Sequence, residues 1–427
     1  MLQKIKNIKI VQSFLILKGN TRISVMFEPL FGISYTFYNF YLSLYMREMG
    51  ITEQQIGAII AVGFVSGAFF SLFGGAATDY FGRKKATFIF DFLAWPLALF
   101  IYFVSRSFTM FILATVVNSI AKIVSISWNL MVVEDADTDQ RKIAYNLLSI
   151  INISSGIITP LAGLLVASLG IIRSERIFMI FSIISMSAMI IVRNKKYTET
   201  AVGQQILAEH KGLRLKDVMK KGLYGGAVKY ACGNRRLRLV ILIQVLFIVA
   251  LPLGGFNSLY FAPFMTDQLG ISKATVSVLG SVYAGVTLFV FLVINPVVSK
   301  KHAKSSILLG LILQGTALLG IALMPVGVMF FAILGVGLYA FGYSIFIPFF
   351  NALLADVSEG QVRAGIYSLI HTITSILGTI IGFTSGYLYA EEPRLIFFIT
   401  VFILMLCIGA MLAFLAYEKR HRNIEQV

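Results

Sequence analysis

Two ionisable residues stand inside stretches otherwise suited to hydrocarbon: Glu28 in TRISVMFEPLFGISY and Lys122 in NSIAKIVSISWN. A lysine at the centre of a membrane helix costs about 2.5–3.5 kcal/mol on the insertion scale, so such groups normally face a cavity or a partner. Glu28 lies six residues past Arg22, about 9 Å along a helix at 1.5 Å per residue. Lys122 lies twelve residues before Glu134, about 18 Å from the same side. Long side chains on adjacent helices can close most of the difference, about 9 Å. Such a pair can act as a fixed clamp between two helices. It can also exchange a proton as its surroundings alternate, because burial disfavours the carboxylate and Lys122 favours it. Both uses stay open at this level.

Other chemistry finds no carrier. No G-x-S-x-G, H-E-x-x-H or Walker-type G-x-x-x-x-G-K-[ST] sequence occurs, so hydrolysis and ATP-driven pumping are not expected. Cys232 and Cys407 cannot build a disulfide framework. An enzyme is not expected, and neither is a metal or a cofactor beyond a coupling ion, proton or sodium. Around the two charges run polar stripes at helical spacing. One holds Thr115, Asn118, Lys122, Ser125 and Asn129; another holds Glu28, Gly32, Tyr35 and Asn39.

The elements that must position these residues are membrane helices. The 427-residue chain is 58% hydrophobic and 13% charged, against about 25% charged in soluble domains. Twelve apolar runs approach the ~20 residues that span a bilayer: 22–46, 54–77, 87–105, 109–133, 143–168, 176–192, 239–265, 273–299, 305–324, 326–350, 364–389 and 394–417. On that arrangement 29 Lys and Arg fall on the side of the termini, six on the other, and Lys122 within a span. The excess places both termini in the cytoplasm. Topology therefore accounts for the +16 net charge, and nucleic acid is not an expected partner.

Residues 1–194 and 238–427 form two six-helix halves joined by a cytoplasmic linker, 195–237. Within the linker, LRLKDVMKKGLYGGAVKYA has the mixed apolar and basic spacing of a helix lying on the membrane face. The halves repeat. A shift of 222 residues lays WNLMVVEDADTDQRKIAYNLL over FFNALLADVSEGQVRAGIYSL, matching Glu134 with Asp356, Asp137 with Glu359 and Arg141 with Arg363. Internal duplication of this kind marks transporter folds, with substrate sites near the midplane between repeats.

Between spans 2 and 3 stands GAATDYFGRKKA, in which Gly75, Asp79, Gly82, Arg83, Lys84 and Lys85 resemble the G-x-x-x-D-x-x-G-R-K/R-K/R motif of the major facilitator superfamily. The resemblance covers essentially the whole chain. It implies an all-α membrane protein of twelve transmembrane helices in two pseudo-symmetric six-helix bundles, working by alternating access as a multi-pass protein of a bacterial-type cell membrane. It also implies that the motif latches the cytoplasmic side. Asp79 can accept hydrogen bonds from a neighbouring helix N-terminus, and Arg83 can pair with Asp91, Glu134 or Asp135. Arg141, Asp356 and Arg363 are the repeated charges of the same face, while the second half has Ser299 where the first has Asp79.

In that fold spans 1, 4, 7 and 10 line the cavity, which adds Gln244, Asn257, Tyr260, Tyr339 and Tyr343 to Tyr35, Asn39, Asn118 and Ser125. Aromatic rings beside a few polar groups suit an amphipathic small molecule. The family also ties a basic residue on span 4 to proton coupling, a position filled here by Lys122. In SSGIITPLAGLL, Gly156, Pro160 and Gly163 partly resemble the span-5 motif of the family's antiporters. The leading expectation is a monomeric, proton-coupled exporter of a small amphipathic compound. Its alternatives are a proton symporter importing a small anion and a non-transporting receptor or scaffold.

Overall fold

A computed structural model of the chain describes residues 9–212, 230–295, 297–298, 302–358 and 363–424. The chain is all-helical among these residues. After α1 (Lys9–Ile16), the first half runs through α2 (Gly19–Glu48), α3 (Glu53–Phe81), α4 (Arg83–Val104), α5 (Phe108–Val133), α6 (138–169), α7 (Ile171–Lys196) and the short α8 (Ala201–Glu209). The second runs through α9 (Arg235–Gly254), α10 (Lys273–Ile294), α11 (Ala303–Leu323), α12 (Met329–Val357), α13 (Arg363–Glu391) and α14 (Arg394–Ile424). The linker stretch expected to lie on the membrane face, and Ser299, fall outside the described residues.

Eleven of these helices, α3 to α7 and α9 to α14, contain segments long and apolar enough to cross a membrane. The first expected span coincides with α2, whose 30 residues reach about 45 Å. Its Arg22, Glu28 and hydroxyl-bearing residues make it more polar than the rest. Helix α7 is longer than the expected 176–192. It takes in Ser174, Glu175 and Arg193, which are buried rather than interfacial. Helix α9 is shorter than 239–265. It ends at Gly254, and Gly255 turns extended after Pro252, which cannot donate to the helix ladder. The expected near-junction at 324–326 is a turn through Gly327 at φ +80°.

Local chemistry sets several helix starts and breaks. The side chains of Ser107, Asp137, Asn234 and Ser272 accept the backbone N–H three residues on, capping α5, α6, α9 and α10. Helix α4 opens into a π turn at Leu93–Leu97 around Pro96, and α5 loosens between Asn118 and Ala121. Helix α6 narrows to a 3₁₀ turn at Gly156–Ile158 before Pro160 restarts it, the position where a missing N–H does no harm. The antiporter-like residues therefore build a break in α6, with Gly163 buried just beyond it.

The chain divides into two compact units, Met1–Ile51 with Val65–Gly222, and Thr52–Phe64 with Leu223–Val427. In the first, α2 packs on α7 and α6, and α4 on α5. In the second, α11 packs on α12 and α14, and α9 on α14 and α13. Helix α3 thus belongs to both units. Its first half lies against α13 in the second: a Cβ on Gly57 would stand 2.7 Å from the Gly382 carbonyl oxygen, and one on Gly382 would stand 2.7 Å from Ala61 N.

Candidate functional site

At the junction of α3 and α4 the chain turns through Gly82 at φ +80°, a conformation that suits glycine. The turn aims Arg83 inward, where it is 3% exposed. Its guanidinium bonds Asp79 at 2.8 Å and Glu134 at 3.1–3.2 Å. Glu134 also accepts the Thr200 hydroxyl. Glu199 receives the backbone N–H groups of Arg83 and Lys84 at 3.0 and 3.1 Å, placing an anion on the N-terminus of α4. Asp135 accepts Ala201 N at 3.1 Å and the Asn20 side chain at 3.4 Å. Asn20 exchanges two further bonds with the backbone of Thr198.

This clasp joins the ends of α3 and α5 and the starts of α2, α4 and α8. The sequence motif supplies Asp79, Gly82 and Arg83, and Glu134 and Asp135 arrive as expected candidates. Glu199 and Thr200 do not, because they sit in what reads as a linker. The T-E-T-A-V-G run is their signal: Thr200 caps α8 by accepting Gly203 N at 2.9 Å. Gly75 is exposed with open space around it, and Gly74 instead makes the close approach to α5, its Cβ position 2.6 Å from Ile126 Cδ1. Arg141 bonds the Val133 carbonyl at 2.8 Å, closing the end of α5. Asp356 is exposed at the end of α12, and the side chain of Arg363 is outside the described residues.

Asp91 is not part of the clasp. It belongs to a second cluster, buried between α2, α4 and α7. There Glu28 pairs with Arg193 at 2.7 Å, and both are buried. The expected Glu28–Lys122 pair does not form. Helix α7 packs along α2 and carries a guanidinium to the level of Glu28, so the closer cation takes the carboxylate. The Arg193 Nη2 also donates to the Ser24 carbonyl at 2.8 Å, and the Trp128 ring lies under the guanidinium at 5.8 Å. Asp91 lies within electrostatic reach of Glu28 and Arg193. At the other end of α7, Glu175 is fully buried and both its oxygens lack a hydrogen-bond donor among the described residues.

Lys122 is exposed on the first unit, its stem beside Gly67 of α3, with no carboxylate in ion-pair range among the described residues. The expected α5 stripe divides at the loosened turn. Thr115 bonds the Tyr102 hydroxyl at 2.9 Å, and Asn118 donates to the Ala94 carbonyl at 2.9 Å, so both are tied to α4. Lys122, Ser125 and Asn129 form the exposed remainder, with Asn129 accepting the Tyr145 hydroxyl at 2.5 Å. On α2, Tyr35 is 39% exposed and meets Phe31, Tyr38 and Trp95. Asn39 is half-buried one turn on.

In the second unit Tyr339 and Tyr343 of α12 stack at 6.3 Å and gather Tyr283 of α10, which itself stacks on Phe256 at 4.4 Å. Sequence reading missed Tyr283, an isolated ring in an apolar span. Tyr260 is buried, bonded to Ser385 at 3.0 Å and stacked on Tyr389. Asn257 lies exposed in the break after α9, and Gln244 is half-buried within α9. Near the motif's counterpart, Glu418 of α14 takes Arg236 of α9 at 2.9 Å and Lys304 of α11. That is a different clasp, built without an equivalent of Asp79.

The geometry of the helices and of the clasp can be set beside known proteins. No curated protein matches the sequence. Solved structures share the fold: the nucleoside transporter NupG (TM-score 0.68, 14% identity, covering 93% of this chain and 99% of that one), the POT family transporter PepTSo (0.69, 11%, 94% and 98%) and a D-xylose-proton symporter (0.65, 14%, 92% and 96%). The family described as Major Facilitator Superfamily matches over residues 30–260 and 242–427. Together with the Asp79–Arg83 motif and the all-helical architecture, that match places the chain in the major facilitator superfamily of membrane transporters.

Proposed function

We propose that this transporter works by alternating access between two six-helix halves, 1–194 and 238–427, and exports a small amphipathic compound in exchange for protons. The observation that carries the coupling reading is the buried cluster of Glu28, Asp91 and Arg193 inside membrane-spanning helices. Intramembrane ionisable residues are costly, and such clusters belong to ion and proton pathways. The 3₁₀ break at Gly156–Ile158 before Pro160 supports export through its resemblance to the antiporter motif. The charge asymmetry of the sequence supports a cell-membrane protein with both termini in the cytoplasm.

Proteoliposomes carrying imposed pH or sodium gradients, screened against amphipathic solutes, test this reading. Solute leaving against its gradient while protons enter is the expected result. Accumulation driven by an inward proton gradient would sink export.

One observation favours a second reading, a proton symporter for a small anion. Lys122 is an exposed ammonium with no carboxylate partner among the described residues, and is thus available to a solute's negative group. The similar structures named as a nucleoside transporter, a peptide transporter and a D-xylose-proton symporter are compatible with either direction. Lys122→Gln separates the two. It should abolish solute affinity in the importer and leave transport largely intact in the exporter, whose coupling cluster does not include Lys122.

A further inference from the structure

The buried charges of the first unit do not balance. Glu28, Asp91 and Arg193 are 5%, 4% and 4% exposed, so two carboxyl groups face one guanidinium in a site shut off from water. An ionised carboxylate without a counter-charge is strongly disfavoured there. Glu28 already holds Arg193 directly at 2.7 Å. Asp91 has no cation within ion-pair distance among the described residues.

A second observation points into the same site. The Arg193 Nε–H is buried and has no acceptor among the described residues, and neither has the Trp128 indole N–H beneath it. A guanidinium whose Nη2 is spent on Glu28 and Ser24 thus keeps its Nε–H in reserve.

The groups facing Asp91 from each packed element are few. Helix α2 brings Glu28, α7 brings Arg193, and α5 brings Trp128 and Ser127, the latter bonded to Thr87 at 3.0 Å. The segment after α7 brings Tyr197, whose hydroxyl pairs with Ser24 at 2.7 Å. Asp79, Arg83 and Glu134 are engaged in the clasp, with Arg83 eight residues from Asp91, about 12 Å along α4.

We propose that Asp91 is the proton-binding group of this cluster, neutral in the packed site and, when it releases its proton to water, an acceptor for the free Nε–H of Arg193. The exchange breaks one carboxyl O–H bond and sends the proton to solvent. The carboxylate left behind joins Glu28 on the same guanidinium. The proton-binding group is thus one that the sequence assigned to the latch. This deepens the proton-coupled reading above and rests on it only for what the proton is used for.

The test is infrared difference spectroscopy of the full-length protein in lipid nanodiscs, titrated with pH in H2O and D2O. Wild type should show a carboxylic-acid C=O band that shifts in D2O and disappears on alkalinisation. Asp91→Asn should remove that titrating band. Asp91→Glu, which keeps an acid should the amide variant fold poorly, should shift the band without abolishing it. A titrating band that persists unchanged in D91N, or no titrating band in wild type, overturns the proposal. Proteoliposome flux separates the two ideas. If D91N loses the band while flux still follows the pH gradient, the proton site stands and its use in coupling falls.

Discussion

Truncating one partner of the Glu28–Arg193 pair leaves the other charged and buried, a loss of about 3–5 kcal/mol where such pairs have been broken. Glu28→Ala alone should therefore lower thermal stability in detergent sharply. The double variant Glu28→Leu, Arg193→Met should sit much closer to wild type, because it leaves no orphaned charge. Additive losses would show that the two residues do not share a site. Glu175 should behave in the opposite way. It is fully buried without donors among the described residues, so Glu175→Met removes no partner and should leave the melting temperature unchanged or raised. A large drop would reveal an interaction that this packing does not contain.

The sequence identified Glu28 as a buried charge but misjudged its partner, for a physical reason. Arg193 sits three residues before the end of α7, beside Lys195 and Lys196, and a basic run at a helix end reads as an interfacial anchor. Only the packing of α7 along α2 turns that side chain inward. Lys122 was legible as an anomaly from its surroundings alone, yet its lack of a carboxylate partner among the described residues depends on the arrangement of α3 and α5, which spacing within one helix cannot give.

At the scale of elements, the motif after α3 is a local pattern and reads directly from GAATDYFGRKKA. Its support is not local. Glu199 lies 116 residues beyond Arg83, and capping the start of α4 from that distance requires α8 to fold under the turn. Glu199→Ala should cost about 1 kcal/mol, the usual worth of an N-terminal cap, and also loosen α8. Limited proteolysis between α7 and α8, with the melting temperature as a parallel readout, would show both effects. Equal protease resistance in the variant would mean that α8 is held by other contacts. Gly203 makes the same point sterically, since a Cβ there would stand 2.9 Å from Arg83 Cδ. Gly203→Val should weaken the clasp without touching any of its charges.

The run of apolar spans made the all-helical membrane architecture legible at the scale of the whole molecule, because membrane solvation constrains span length and charge placement more tightly than packing does. What they could not give is the double membership of α3. Its first half, Thr52–Phe64, belongs to the second unit and the rest of the helix to the first. The attachment is backbone on backbone: Gly57 faces Gly382 and Gly386, and a Cβ on Gly378 would stand 2.6 Å from the Phe64 ring. Small residues at such a surface let helices approach closely, and any alternating-access motion that separates α3 from α13 must open this contact. Gly382→Leu overfills it, at a cost of about 1–3 kcal/mol, which shifts an opening equilibrium by about five- to 150-fold. The readout is maleimide labelling of Ala61→Cys, a position 7% exposed, in a chain whose Cys232 and Cys407 are replaced by serine. Labelling should be slow with Gly382 and rise by at least about fivefold with G382L. If Ala61→Cys stays protected in G382L, α3 does not separate from α13, and the contact is a fixed seam rather than a moving one.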